Sequence, residues 1–318
     1  AGYSGFKTDG FRENNRQDDQ IANVFLQAEV SPSTSLQAEF RYRNLEAGDL
    51  ALHFDETDFS PFLEEKTETT SIRAGLRQEF GPAVTFLASY MHADKDLDFL
   101  EPDLEFGTSF GIGREEKSDS FEGQVLYRSP RLKVVAGAGY FDIDADEAVT
   151  FEIADPEFGF TDVTTSDTRV KHANVYAYAN VELPADLTLT LGASGDSYEE
   201  TGDYFSDFRL PGLPAGEAVP IVPAPVLGER DQFNPKAGLT WSLKSGTTLR
   251  GAWFRALKRT LVTDQTLEPT QVAGFNQFYD DATATESEIW GLAIDQKLGR
   301  KAFAGFEYSQ RDLTIPQT

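Results

Sequence analysis

The sequence predicts an all-β fold: a transmembrane, antiparallel, up-and-down β-barrel with short periplasmic turns and long extracellular loops. Two observations carry that reading. Segments of about ten residues alternate apolar and polar side chains, the length and period of a barrel strand. Tight turns and long acidic connections then alternate between those segments. Successive side chains of a strand point to opposite faces, so each segment has one greasy face and one charged face. Repeated along the chain, the pattern fits a closed sheet with hydrocarbon outside and water inside.

The elements follow in order. After an outward strand over 3–11, Ala22, Val24, Leu26, Ala28 and Val30 oppose Asn23, Gln27 and Glu29. Beyond the turn SPST (31–34), Leu36, Ala38, Phe40 and Tyr42 oppose Gln37, Glu39, Arg41 and Arg43. Ile72, Ala74, Leu76 and Phe80 lead into FGPA (80–83) opposite Arg73, Arg77 and Glu79, and Val84, Phe86, Ala88 and Tyr90 leave it. SPRL (129–132) lies between Phe121–Gly123–Val125–Tyr127 alternation and the row Leu132, Val134, Ala136, Ala138 and Tyr140. The most regular pair flanks LPADL (183–187): Ala173, Val175, Ala177, Ala179 and Val181, then Leu189, Leu191 and Ala193, with Asn174, Tyr176, Tyr178, Asn180 and Glu182 on the reverse. LKSGT (243–247) and LGRK (298–301) close two further hairpins, carrying Phe233, Ala237, Leu239, Trp241, Leu249 and Trp253, then Trp290, Leu292, Ile294, Ala302, Ala304, Phe306 and Tyr308. Each turn is built from residues that accept turn dihedrals or wet backbone.

Some positions break phase. Arg255 falls with Trp253 and Gln78 with Leu76, as a bulge or a membrane boundary would allow. Tyr42, Tyr90, Tyr127, Tyr140 and Trp241 fall where an aromatic belt belongs. Twelve to fourteen strands are visible in one domain over 1–318, thirteen if 3–11 is counted. Single-chain bacterial barrels normally have an even number, so the expectation is part of a larger barrel, or a chain that stops before its closing strands. The long connections are expected over 51–66, 100–117, 150–167, 199–232 and 264–286. The competing architecture, a soluble two-sheet sandwich, fits poorly because globular strands cluster near five or six residues.

Composition narrows the function classes. Among 318 residues, 28 Lys and Arg face 53 Asp and Glu, a net charge of -25. That sign argues against nucleic acid, whose recognition needs an excess of cations. There is no Cys, only one Met and three His, so soft-metal and thiolate sites lack material. No apolar run reaches the roughly 18 residues of a spanning helix, which leaves a barrel untouched. Acidic runs such as 142–147 raise Ca2+ as an alternative, but none has the Gly-centred spacing of a twelve-residue calcium loop. His53, His92 and His172 lie in unrelated contexts and suggest no Ser–His–Asp arrangement, so no enzyme is predicted.

Two segments carry a resemblance. GFKTDGFRENN (5–15) resembles the strand-to-loop stretch of TonB-dependent receptor barrels. FNPKAGLTW (233–241), through FRALKRTLVTDQTLEPTQVAGFNQFYDD (254–281) to WGLAIDQKLG (290–299), resembles the TonB-receptor-like or porin-like barrels found at the C-terminus of bacterial tetratricopeptide-repeat outer-membrane proteins. The resemblance covers about 5–313 and implies an outer-membrane location and transport. The chain departs from complete members in having no plug domain, no TonB-contacting box and no terminal aromatic residue.

Candidate functional residues lie on the expected lumen face: Arg41, Arg43, Arg73, Arg77, Lys171, Lys236 and Arg250, with Glu39, Glu79, Glu122, Glu182 and Asp295. Rings of charge set pore selectivity; equally, opposite charges pair across a ladder and hold a water-filled wall. The connection from 264 to 281 mixes Pro, Gly, amides and aromatics, and Pro269, Phe275, Asn276, Phe278 and Tyr279 would form a constriction or a partner-binding loop. The leading expectation is a channel passing or exporting a solute without cofactor, surrounded by outer-membrane lipid and lipopolysaccharide. The alternatives are a non-conducting anchor whose loops bind a periplasmic or surface protein, and a receptor barrel whose plug lies outside this chain.

Overall fold

The structure, a computed structural model, describes residues 1–316 except 53–54, 56–57, 156–157, 211–218, 222–225, 244–245 and 260–264. The strands are β1 (Gly2–Thr8), β2 (Gln17–Ser31), β3 (Thr34–Ala47), β4 (Glu64–Phe80), β5 (Val84–Asp103), β6 (Thr108–Arg128), β7 (Leu132–Ile153), β8 (Phe160–Leu183), β9 (Leu187–Arg209), β10 (Val219–Ile221), β11 (Val226–Ser242), β12 (Thr247–Leu257), β13 (Gln271–Val272), β14 (Phe275–Asn276), β15 (Glu286–Leu298) and β16 (Ala302–Thr314). One antiparallel sheet runs β1-β2-β3-β4-β5-β6-β7-β8-β9-β11-β12-β15-β16, with β10 paired to the far end of β9. β1 and β16 are its two free edges among the described residues. The small hairpin β13–β14 stands apart from it.

Neighbours in sequence are neighbours in the sheet because the tight turns leave no room for a crossover. Each expected turn joins a hairpin, from Ser31↔Thr34 to Leu298↔Ala302. Residues 244–245 of the fifth turn, like His53, lie outside the described residues.

Some of the connections at the opposite end are shorter than the sequence suggested, although those between β3 and β4 and between β12 and β15 are not. β5 runs to Asp103 and β6 starts at Thr108; β7 runs to Ile153 and β8 starts at Phe160. Stretches expected as loops over 100–117 and 150–167 are therefore mostly strand. Their apolar–polar alternation fades because both faces are wet there, which removes the only sequence signal separating strand from loop. β8, at 24 residues, is about 80 Å long and, tilted, rises roughly 60 Å, far more than the apolar band of about 25 Å needs.

The faces are inside-out relative to a soluble protein. On β8, Val175 is 61% exposed while its neighbour Asn174 is 3% exposed; on β11, Phe233 is 66% exposed beside Asn234 at 0%. An exposed aliphatic row backed by buried amides is opposite to a sandwich core and requires an apolar surrounding. The outer band also ends along one register row. Tyr90, Phe121, Tyr140 and Ala173 are direct cross-strand partners, and the next outward row is His92, Asp119, Asp142 and Lys171. Tyr90 stacks on Phe121 at 4.6 Å and donates its hydroxyl to Asp119 at 2.8 Å, one end dry and one wet.

That row corrects one assignment. Lys171 shares the phase of Ala173 and Val175, pairs across the ladder with Asp142 and lies on the outer face, not in the lumen. The acidic run 142–147 is likewise part of β7: Asp142, Asp144 and Asp146 share its outer face in a line, successive side chains roughly 7 Å apart, and Arg169 pairs with the first two. Among the described residues no cluster of three or more His, Asp and Glu is placed to hold a metal.

Candidate functional site

The inner face is where buried polar groups and the 265–285 loop meet. Side chains of β8 and β15, about 19 Å apart in a flat sheet, converge on one cluster, so the sheet is curled around its polar face. Tyr176, Tyr178, Phe254, Ile289 and Ala293 from the wall enclose Val272 and Phe275 from the loop. The hairpin β13–β14 presents those two residues. Its turn residues Ala273 and Gly274 both have positive φ (48° and 87°), the type I′ geometry of a two-residue hairpin. Phe275 lies against Gly291, where an added Cβ would strike its ring, and Arg250 stacks over it at 5.2 Å.

Charge fixes the loop as firmly as packing does. Arg259 and Glu268 form an ion pair at 2.8 Å with side chains 1% and 2% exposed. Glu268 also accepts the Tyr178 hydroxyl at 2.5 Å and the Asn174 amide at 3.0 Å. The Arg259 guanidinium lies over Phe278 at 4.8 Å and Phe141 at 5.7 Å. Both Glu268 oxygens are partnered, which offsets part of the desolvation, while Arg259 Nε and Nη1 are buried without a hydrogen-bond partner among the described residues and lie among the aromatic rings instead. Glu122 extends the anchorage by accepting Thr266 Oγ1 at 2.6 Å and Leu267 N at 2.9 Å. Gln277 donates to the Pro269 carbonyl at 2.6 Å, closing the hairpin's base. Asn276 is exposed and accepts from Gln271 at 2.9 Å; Tyr279 lies under Arg311 at 3.7 Å. Asp264 lies outside the described residues.

The remaining lumen candidates divide by company. Arg43 holds Asp19 in a two-point pair at 2.9 and 3.0 Å. Arg73 reaches Glu39 at 3.5 Å and Met91 Sδ at 3.3 Å, and Arg77 pairs with Glu79. Arg250 bridges Asp295 at 2.9 Å and Glu307 at 3.3 Å; Glu182 takes Lys133 at 3.4 Å. Lys236 is buried, donating to the Arg255 carbonyl at 3.0 Å beneath the Tyr178 ring. Arg41 is exposed and, among the described residues, has no ion pair.

Sequence reasoning missed the apolar inner patch, whereas a pairing of Arg255, Lys258 or Arg259 with Asp264 or Glu268 is one of the two readings it offers for those cations, the other being contact with an anionic substrate. The patch had a signal: Trp253–Phe254 and Ile289–Trp290 are consecutive large apolar residues, the mark of a strand covered on both faces. The burial of the Arg259–Glu268 pair had no such signal, since it depends on where the loop folds. His172 Nε2 meets Asp196 at 3.0 Å, and Ser194 donates to the other oxygen of that carboxylate at 3.3 Å, so the serine lies against the carboxylate and not against the imidazole, unlike a Ser–His–Asp relay.

At the rim, the GFRENN segment clamps the β3–β4 loop. Arg12 donates to the Asp49 and Ala51 carbonyls at 3.1 and 2.6 Å, and Asn14 to the Ser60 and Leu63 carbonyls, both at 2.9 Å. Burial pushes the Asp49 carboxyl up, but Arg12 and the Ser60 and Ala51 amides outweigh it and hold it below the ordinary carboxylate value.

Comparison with known proteins agrees with this geometry. Residues 2–292 match the family model described as TonB dependent receptor-like, beta-barrel. No curated protein matches. Among solved structures, the ferric yersiniabactin uptake receptor FyuA of Yersinia pestis superposes with a TM-score of 0.65 at 12% identity, over 97% of this chain and 48% of that one. The siderophore receptor PiuA of Acinetobacter baumannii gives 0.68 at 11% identity, over 96% and 52%. The alcaligin receptor FauA of Bordetella pertussis gives 0.55 at 16%, over 93% and 44%. The chain thus spans about half the length of these neighbours, and the match concerns the barrel, not a tetratricopeptide context. These are bacterial outer-membrane proteins, receptors and transporters rather than enzymes, and the exposed apolar band places this chain in the same membrane. The chain belongs to the TonB-dependent receptor-like β-barrel family.

Proposed function

We propose that the chain forms the wall of an outer-membrane uptake barrel, without enzymatic activity, whose lumen is narrowed by the loop running from Gln265 to Thr285. The observation that carries this is the hairpin β13–β14 docked on the inner face of β8, β12 and β15, with polar space left beside it along β3–β6. An apolar outer band and a wetted inner wall supply the path; the loop sets its width. Lipopolysaccharide headgroups would meet the charged outer row, and the solute would cross the lumen.

The full chain reconstituted in planar bilayers tests this. Conductance is expected, and Phe275→Ala, which removes the loop's apolar anchor, is expected to raise it. A lipid-inserted protein that stays silent in both forms overturns the reading. It would favour a surface anchor, the second reading, which the extent of the buried loop contacts also supports.

A further inference from the structure

Two lumen cavities adjoin the loop where it begins at Gln265, one of about 620 Å3 and one of about 240 Å3, and both are lined by Arg73, Met91 and Gln265. They lie side by side and meet at Arg73. Their wall is an arginine staircase. By ladder register Arg43 faces Thr69, Arg41 faces Ser71, Arg73 faces Glu39 and Arg77 faces Ser35. The four guanidinium groups thus descend the same two strands over about 27 Å of strand, close to the thickness of the apolar band.

All but Glu65 of the carboxylates in reach of the staircase are already ion-paired. Asp19 holds Arg43, Glu39 holds Arg73, Glu79 holds Arg77, and Glu116 on the upper cavity's far wall takes Arg114 at 2.9 Å. Glu65 accepts the Thr67 hydroxyl at 3.5 Å. Arg41 and Lys95 line the same upper cavity, are exposed, and have no ion pair among the described residues. Two cations without an ion-pair contact, with Ser71 and Thr69 between them on β4, are a donor set for an anion's oxygens, although Lys95 lies directly across the ladder from Glu116, which Arg114 already holds.

We infer that the β3–β6 side of the lumen is an oxyanion track, with Arg41 and Lys95 as its capture site for a carboxylate- or phosphate-bearing solute. The inference deepens the uptake reading and rests on it for the direction of travel, but the capture site itself does not depend on conduction. It also runs against the chain's overall charge of -25, most of which lies elsewhere. Charge-assisted, multidentate contacts to phosphate oxygens favour arginine over lysine, so Arg41 contributes the larger share.

Pyrophosphate binding to the detergent-solubilised full chain, measured by calorimetry at low salt, is the test. The wild type is expected to bind, and Arg41→Gln to weaken binding about tenfold. Arg41→Lys should retain part of the affinity, and Arg169→Gln on the outer face should leave it unchanged. Raising the salt should weaken binding. No binding by wild type, or equal binding by Arg41→Gln, overturns the site whatever the conductance. Binding that depends on Arg41 in a protein that never conducts keeps the site and removes the uptake reading instead.

Discussion

The two halves of the inner wall are built from the same alternating code and end in opposite states. Along β3–β6 the inward positions are mostly arginine, glutamate, serine and threonine beside open space, with Leu45, Met91 and Ala93 among them. Along β8–β15 they are Tyr176, Tyr178, Phe254 and Ile289, shut beneath a loop. Outward, both halves carry the same aliphatic and aromatic rows. The lipid face is thus dictated by the surroundings and is uniform. The lumen face is dictated by whatever the chain itself folds into the lumen, and is not.

The comparison breaks most easily at the loop. Replacing Glu268 with Leu leaves Arg259 buried without its carboxylate, and should cost about 3–5 kcal/mol of loop docking. Limited proteolysis of the folded protein should then cut between 265 and 285, with the β3–β6 half untouched. Unchanged resistance would mean the loop does not depend on the pair.

A smaller effect should come from the outer wall, equally in either half. Val175→Arg places a cation in the apolar band and should cost about 2–4 kcal/mol, read as a lower denaturant midpoint in lipid vesicles. If Val175→Arg were harmless, the outward face of β8 would not be in hydrocarbon.

The smallest effect should be at the rim, on the β3 side alone. The Asp49 carboxyl is held below its ordinary value, so its stabilising contribution is complete at neutral pH and is lost as acid protonates it, below about pH 4. Amide exchange in the β3–β4 loop should therefore rise on acidification, and Asp49→Asn should abolish that pH dependence. Persistence of the dependence in the variant would assign it to another group.

Much of this was readable beforehand. The hairpin turns, the outward rows and the path of thirteen strands follow from a period of two and from turn chemistry, both local. Arg41, Arg43, Arg73 and Arg77 fall on the inner face as their phase requires. Lys171 was misassigned because charge alone suggested the lumen, whereas its phase with Ala173 sets it outside. Phe254 and Ile289 could have been read as doubly covered from their apolar neighbours. The strand extensions near 100–117 and 150–167 could not, because water on both faces erases the pattern.

By itself the sequence determined which side of every ribbon meets lipid, since alternation is a property of consecutive residues and transfers directly to a strand. Only the tertiary structure decided where the 265–285 loop lies, and therefore which lumen charges are sealed and which face water. Arg259, Glu268 and Arg41 are all charged residues of unremarkable sequence context. Their fates differ because burial is set by residues roughly 90 to 120 positions away, brought close by the curl of the sheet.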